Sequence, residues 1–169
     1  MIKIAIIGNS SSGKSSLALK LVQTFNLAHL DLDLIAWEAQ KTPIRRSLSS
    51  SLQEIMTFIN KNENWVIEGC YGDLIREILP YTNLLIFLNI GVETCLENAK
   101  KRSWEKHKYD TPEAQEANLS MLESWIKGYF LRNDEFSFSW HQQLFESFTG
   151  QKIEYKTNWN EDIIKLINL

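Results

Sequence analysis

Ile2-Lys3-Ile4-Ala5-Ile6-Ile7-Gly8-Asn9-Ser10-Ser11-Ser12-Gly13-Lys14-Ser15-Ser16 decides the fold of this chain. Ile2–Ile7 is an apolar run with one charge, Lys3, and it reads as a buried parallel strand. Gly8–Ser15 fits G-x-x-x-x-G-K-[ST] at every fixed position. Beyond it, Leu17/Leu21 and Ala18/Val22/Phe25 recur at helical spacing. Strand, glycine-rich loop and helix thus follow in the order a phosphate-binding loop requires. Such a loop aims backbone N–H groups and the positive end of a helix dipole at one spot. Lys14 adds a point charge for the β- and γ-phosphates, and the Ser15 hydroxyl reaches Mg²⁺. Gly8, Asn9, Ser10, Ser11, Ser12, Gly13, Lys14, Ser15 and Ser16 are therefore the expected nucleotide-binding residues, with ATP and Mg²⁺ as cofactors.

Composition bounds the rest. A chain of 169 residues is one domain, long enough to bury about 70% of the surface its unfolded form exposes. Hydrophobic and charged contents of 44% and 23% are those of an ordinary globular protein. A net charge of −3 argues against a nucleic-acid partner, whose footprint is a basic excess. No apolar run approaches the ~18 residues of a membrane span, and the N-terminus enters a strand rather than a signal peptide. The two cysteines, Cys70 and Cys95, form no disulfide framework, so a reducing cytoplasm is expected. The expected assembly is a monomer or homodimer.

Further along, Leu27–Leu32 reads as a second strand ending in Asp31 and Asp33, and Trp37–Arg46 as a loop. Leu48–Asn60 is amphipathic, with Leu48, Leu52, Ile55 and Ile59 on one helical face. Trp65–Ile67 is a third strand left at Glu68-Gly69, Leu84–Leu88 a fourth, Gly91–Arg102 a helix, Ile153–Tyr155 a fifth strand, and Glu161–Ile167 a closing helix. Alternating strands and helices imply right-handed crossovers and a parallel sheet, with ligands at the carboxyl ends of the strands. Gly8, Asp31 and Glu68 would all fall there.

Phosphoryl transfer asks a protein for positioning and charge compensation. Asp31 and Asp33 alternate in strand register, and both face the cleft only if the strand has already ended. One would then hold Mg²⁺ waters while the other accepts a hydrogen bond from an acceptor hydroxyl. Glu68 closes an apolar strand just before Gly69 and suits a carboxylate near Mg²⁺. Ser15, Asp31 and Glu68 form the expected metal set, and Lys14, Asp33, Arg102 and Arg132 the expected catalytic set. Arg102 heads a basic run with Lys106 and Lys108, following Lys100 and Lys101, and its planar guanidinium matches phosphate oxygens. Arg132 is a second candidate lid cation. Arg45 and Arg46 would grip an acidic or phosphorylated acceptor, and Trp37 would stack on an acceptor ring or pack in the core. His29, His107 and His141 have no metal-ligand spacing and read as structural.

With these residues in view, the chain resembles the adenylate kinase/shikimate kinase-like P-loop small-molecule kinases over roughly Ile2–Arg102. The Asp31-x-Asp33 pair lies at the distance from Lys14 that shikimate kinases show. The resemblance implies Mg²⁺ for Asp31 and the acceptor for Asp33. Trp65-Val66-Ile67-Glu68-Gly69 is similar to the Walker B strand of adenylate kinases. It is more similar still to topology-modulation-protein-like members, with Trp-Val-Ile-Asp-Gly and a following tyrosine, here Tyr71. The segment Thr157–Asn160 would approach the adenine. Shikimate kinases carry a triple glycine where this chain has Glu68-Gly69-Cys70, adenylate kinases a Gly-Phe-Pro-Arg segment absent here, and His107–Phe148 matches neither. The implied fold is a P-loop NTPase three-layer α/β/α domain over 1–169, with a five-stranded parallel sheet and a helical lid. The acceptor-binding region would span about 34–64 and the lid about 102–132. The implied activity is an ATP-dependent kinase transferring to a small-molecule hydroxyl or phosphate acceptor. A nucleotide-hydrolysing switch without an acceptor is the alternative.

Overall fold

In a computed structural model, the structure describes residues 1–38, 44–106 and 109–166. His107 and Lys108 lie outside them, as does Ile167. Five strands, β1 (Lys3–Gly8), β2 (Ala28–Asp31), β3 (Trp65–Gly69), β4 (Leu84–Leu88) and β5 (Gln151–Tyr155), form one parallel sheet in the order β2-β3-β1-β4-β5. The most apolar strands take the centre, as a sheet covered on both faces demands.

Alternation along the strands separates two cores. Ile4, Ile6, Val66, Leu84 and Ile86 face one side, packed by α1 (Lys14–Phe25), α4 (Val92–Lys100), α5 (Pro112–Lys127) and α7 (Asp162–Leu166) through Leu17, Leu21, Leu96, Ile126 and Ile163. Ala5, Ile7, Trp65, Ile67, Leu85 and Phe87 face the other, against α2 (Leu48–Lys61), α3 (Gly72–Ile78) and α6 (Phe138–Ser147) through Ile55, Leu74, Ile75 and Leu144. The result is a three-layer α/β/α domain. No helix among the described residues is long and apolar enough to cross a membrane.

The sequence boundaries shift in physically readable ways. β2 stops at Asp31 because the Asp31 carboxylate accepts the Asp33 N–H at 2.9 Å and caps a 3-10 turn over Leu32–Leu34. Strand alternation therefore ends before Asp33. β3 runs on to Gly69, paired through Glu68 with Ile6 of β1 and Asp31 of β2. α4 ends at Lys100, leaving Arg102 in the connection that follows. Helices α3, α5 and α6 were not expected from periodicity. α5 starts on a Thr111 cap with Pro112 at its first turn, and α6 on a Ser137 cap. The segment expected as a lid over 102–132 is accordingly divided. Residues 102–106 form no helix or strand, whereas α5 lies against α4 and buries Ile126 completely.

Candidate active site

The register Gly69↔Ile7, Glu68↔Ile6 and Asp31↔Glu68 brings the carboxyl ends of β1, β2 and β3 to one edge. There the chain encloses a cavity of about 660 Å³. Ser10, Ser11, Gly13, Lys14, Ser15 and Ser16 form its phosphate-loop wall, while Asn9 and Ser12 are buried.

Gly13 is the N-cap of α1 with φ 91°, a conformation that favours glycine, and it has no side chain to occupy the first-turn N–H groups. The loop is tied down from several sides. The Lys14 ammonium donates to the Asn9 carbonyl at 2.8 Å, and the Ser10 N–H donates to Asn9 Oδ1 at 2.8 Å. Trp159 Nε1 donates to the Gly13 carbonyl at 3.2 Å, and Asn98 Nδ2 donates to the Ser11 carbonyl at 3.0 Å. The buried Ser11 and Ser12 hydroxyls have no hydrogen-bond partner among the described residues. A cradle of fixed N–H groups, a buried ammonium and unpartnered hydroxyls suits a polyphosphate.

Asp33, Glu68, Gly69 and Cys70 line the same cavity, Glu68 and Gly69 on the strand next to the one that enters the loop. Glu68 is 2% exposed, yet its Oε1 accepts no hydrogen bond from the described residues, and His29 Nε2 lies 3.7 Å from it. A buried carboxylate oxygen with no donor requires a cationic or water partner. Ser15 lines the same cavity, and a carboxylate with a hydroxyl is a donor set that fits Mg²⁺. Among the described residues no three His, Cys, Asp or Glu side chains converge on a metal position. Asp31 neighbours Glu68 across the sheet but is not on the cavity wall, its carboxylate being engaged with the Asp33 N–H.

Asp33 lies on the wall, and its Oδ1 accepts the Tyr71 hydroxyl at 2.6 Å. Gly69 makes this possible. A Cβ there would stand 2.9 Å from both Leu32 Cβ and Tyr71 Cδ2. Desolvation pushes the Cys70 thiol up to about 12, so it stays protonated and offers no nucleophile.

The cations divide. Lys101 and Arg102 are on the wall, Arg102 donating to Glu105 at 2.7 Å. Arg132 is not: its guanidinium stacks 3.8 Å from the Trp125 ring centroid and donates to the Trp125 carbonyl at 2.7 Å. Arg45 makes two hydrogen bonds to Asp73, at 3.0 and 3.1 Å, and Arg46 pairs with Glu54 at 2.6 Å. Trp37 donates its indole N–H to Tyr71 at 2.7 Å. Of the expected base-side segment, Asn158 and Trp159 reach the wall.

His141 is a core residue. A carbonyl only accepts, so Nε2–H donates to the Cys70 carbonyl at 3.0 Å and Nδ1 accepts from the Tyr129 hydroxyl at 2.6 Å. Burial pushes its imidazole down to about 3. Asn98, which also lines the cavity, carries no role in the sequence-based expectations. Asn98 lies in the last turn of α4, just before the basic run that holds Arg102, and that position was the available signal.

No known family model matches the sequence. The uncharacterized protein YqaC of Bacillus subtilis (strain 168) is 30% identical over 112 residues, covering 62% of this chain and 58% of that protein. The structure of a deoxyadenosine kinase from M. mycoides with bound dATP matches 99% of this chain and 100% of its own, with a TM-score of 0.57 at 12% identity. An uncharacterized protein from Eubacterium ventriosum matches 99% of this chain and 98% of its own, with a TM-score of 0.54 at 20% identity. At such identities the likeness is one of fold, and it agrees with the parallel sheet and the loop at its edge. The chain has the fold of the P-loop small-molecule kinases, the group its motifs resemble.

Proposed function

We propose that the protein is an ATP-dependent phosphotransferase that moves the γ-phosphoryl group to a small acceptor bearing a hydroxyl. The observation that carries this reading is the joint presence of the phosphate loop with Lys14 and of two carboxylates, Asp33 and Glu68, in the lining of one cavity. The two carboxylates have different surroundings and so suit different tasks. Glu68, buried and without a hydrogen-bond donor, would hold Mg²⁺ with Ser15, and Asp31 would support that side from the neighbouring strand. Bound Mg²⁺ would supply charge neutralisation on the phosphates. Asp33, hydrogen-bonded to Tyr71, would accept a hydrogen bond from the acceptor hydroxyl and orient it.

Arg102 and Lys101 would compensate charge above the transferred group, with Arg102 leaving Glu105 to do so. Arg132 would join them only by leaving Trp125. The region about 34–64 would border the acceptor and the segment 102–106 would close over it, excluding water that competes for the phosphoryl group. A hydroxyl rather than a phosphorylated acceptor is favoured because Arg45 and Arg46 are both already paired, with Asp73 and Glu54.

ADP release from Mg·ATP, followed with nucleosides, polyols and hydroxy acids in parallel with nucleoside monophosphates, tests this. Stimulation by one of the hydroxyl classes is expected. Stimulation by monophosphates alone would overturn the acceptor assignment. Slow release indifferent to every acceptor would favour a nucleotide-hydrolysing switch.

A further inference from the structure

We propose that Tyr71 is a positioning residue for Asp33, and that Trp37 sets the direction in which the Tyr71 hydroxyl proton points. The consequence for turnover rests on the phosphotransferase reading, while the hydrogen-bond relay itself does not.

Tyr71 is 2% exposed and held on all sides. Phe136 meets its ring edge-on at 5.4 Å between centroids, and Trp37 does so at 6.5 Å. The Arg45 guanidinium covers it at 4.7 Å, itself fixed by Asp73 and by the Ala36 carbonyl at 3.0 Å. The ring cannot swing, so its hydroxyl oxygen has a defined place.

That oxygen has two neighbours of opposite character. An indole N–H can only donate, so Trp37 takes a lone pair of the Tyr71 oxygen at 2.7 Å. The one hydroxyl proton is thereby directed to Asp33 Oδ1, 2.6 Å away. An O–H to carboxylate bond of this length is charge-assisted and stronger than a neutral one. The order Trp37 to Tyr71 to Asp33 is the direction these donor capacities permit. Neither Trp37 nor Tyr71 is among the residues that line the cavity, whereas Asp33 is. What the relay supplies is a fixed position for the carboxylate that would orient the acceptor.

The test combines a spectroscopic and a kinetic cycle. In ¹⁵N-labelled protein, Asp33→Asn should shift the Trp37 indole N–H resonance, since the two residues are coupled through the intervening hydroxyl. In a Tyr71→Phe background the same Asp33→Asn change should leave the indole resonance in place. Kinetically, Tyr71→Phe should lower kcat about tenfold, with the KM for ATP kept within about twofold. Trp37→Phe should lower kcat less, and the Trp37→Phe/Tyr71→Phe double variant should be no slower than Tyr71→Phe alone. An indole shift that persists without the hydroxyl would overturn the proposal. So would a kcat unmoved by Tyr71→Phe, or additive losses in the double variant. Wild-type protein with no acceptor-dependent turnover would instead refute the phosphotransferase reading, leaving the indole cycle to decide the relay.

Discussion

The side-chain amide of Asn9 donates to the backbone carbonyl of Ile126 at 3.2 Å, joining the phosphate loop to the end of α5 across 117 positions of chain. The same residue receives the Ser10 N–H on its side chain and the Lys14 ammonium on its carbonyl. One asparagine thus holds the loop's curvature, its lysine and the element expected to cover the site. Its amide is buried, so each of these bonds would be costly to lose.

Asn9→Ala should therefore act on stability and on nucleotide binding together. Removing a buried amide that leaves the Ile126 carbonyl short of a donor costs about 1–3 kcal/mol. Denaturant unfolding should show that loss, and nucleotide affinity should fall with it. A variant of unchanged stability and affinity would mean that α5 and the loop are not coupled through this contact.

Lys14→Ala removes the ammonium that the loop holds within the site. Transition-state charge is what such a group compensates, and removal of a single stabilising donor lowers kcat by about 10²–10³-fold. The circular dichroism spectrum should be unchanged. Wild-type turnover in a folded Lys14→Ala protein would contradict the placement of the phosphates.

Glu68→Gln tests the metal side. The carboxylate oxygen without a donor should make Mg²⁺ binding depend on its charge, so the Mg²⁺ concentration for half-maximal activity should rise about tenfold or more. Nucleotide affinity measured in the absence of metal should stay close to that of the wild type. A loss of metal-free affinity of the same size would make Glu68 a structural residue of the loop.

His141 makes a statement about pH. Its folded pKa is about 3, against about 6.5 when unfolded, because burial disfavours the charged ring. The unfolded chain therefore binds the proton first on acidification. The stabilisation from keeping His141 neutral is complete above pH ~6.5 and is lost as pH falls from there toward ~3, by about 1.4 kcal/mol per unit. His141→Gln should be less stable at neutral pH, and its urea midpoint should fall less steeply than the wild type's between about pH 6.5 and 5. Parallel curves would show that the histidine is not buried neutral.

How far the sequence revealed this site differs from residue to residue. Lys14 and Ser15 were legible because strand, glycines and helix fix their positions through local geometry alone. Glu68 was legible as the end of an apolar strand. The state of Asp33 was not, since it depends on where β2 stops, and that is decided by the Asp31 carboxylate capturing the Asp33 N–H. Arg45 reads from the sequence as a grip for an acidic or phosphorylated acceptor, and its two bonds to Asp73, 28 positions away, are a tertiary fact the sequence does not carry. Tyr71 offered only a matching place after Gly69; its use follows from tertiary packing that brings Trp37 and Asp33 to one hydroxyl. Helices α5 and α6 had visible caps at Thr111-Pro112 and Ser137. The aromatic content of α6, with Phe138, Trp140 and Phe145, obscured its period. His141 looked structural from its lack of ligand spacing, and it sits in the core between Tyr129 and Cys70.

The central claim is that the phosphoryl group goes to an acceptor rather than to water. The most direct measurement follows the label from γ-³²P-ATP in the presence of Mg²⁺ and the acceptor that best stimulates ADP release. The account predicts that most of the label appears in a phosphorylated acceptor, and that this product disappears in Lys14→Ala. Label recovered only as inorganic phosphate, at the same rate with and without acceptor, would contradict it.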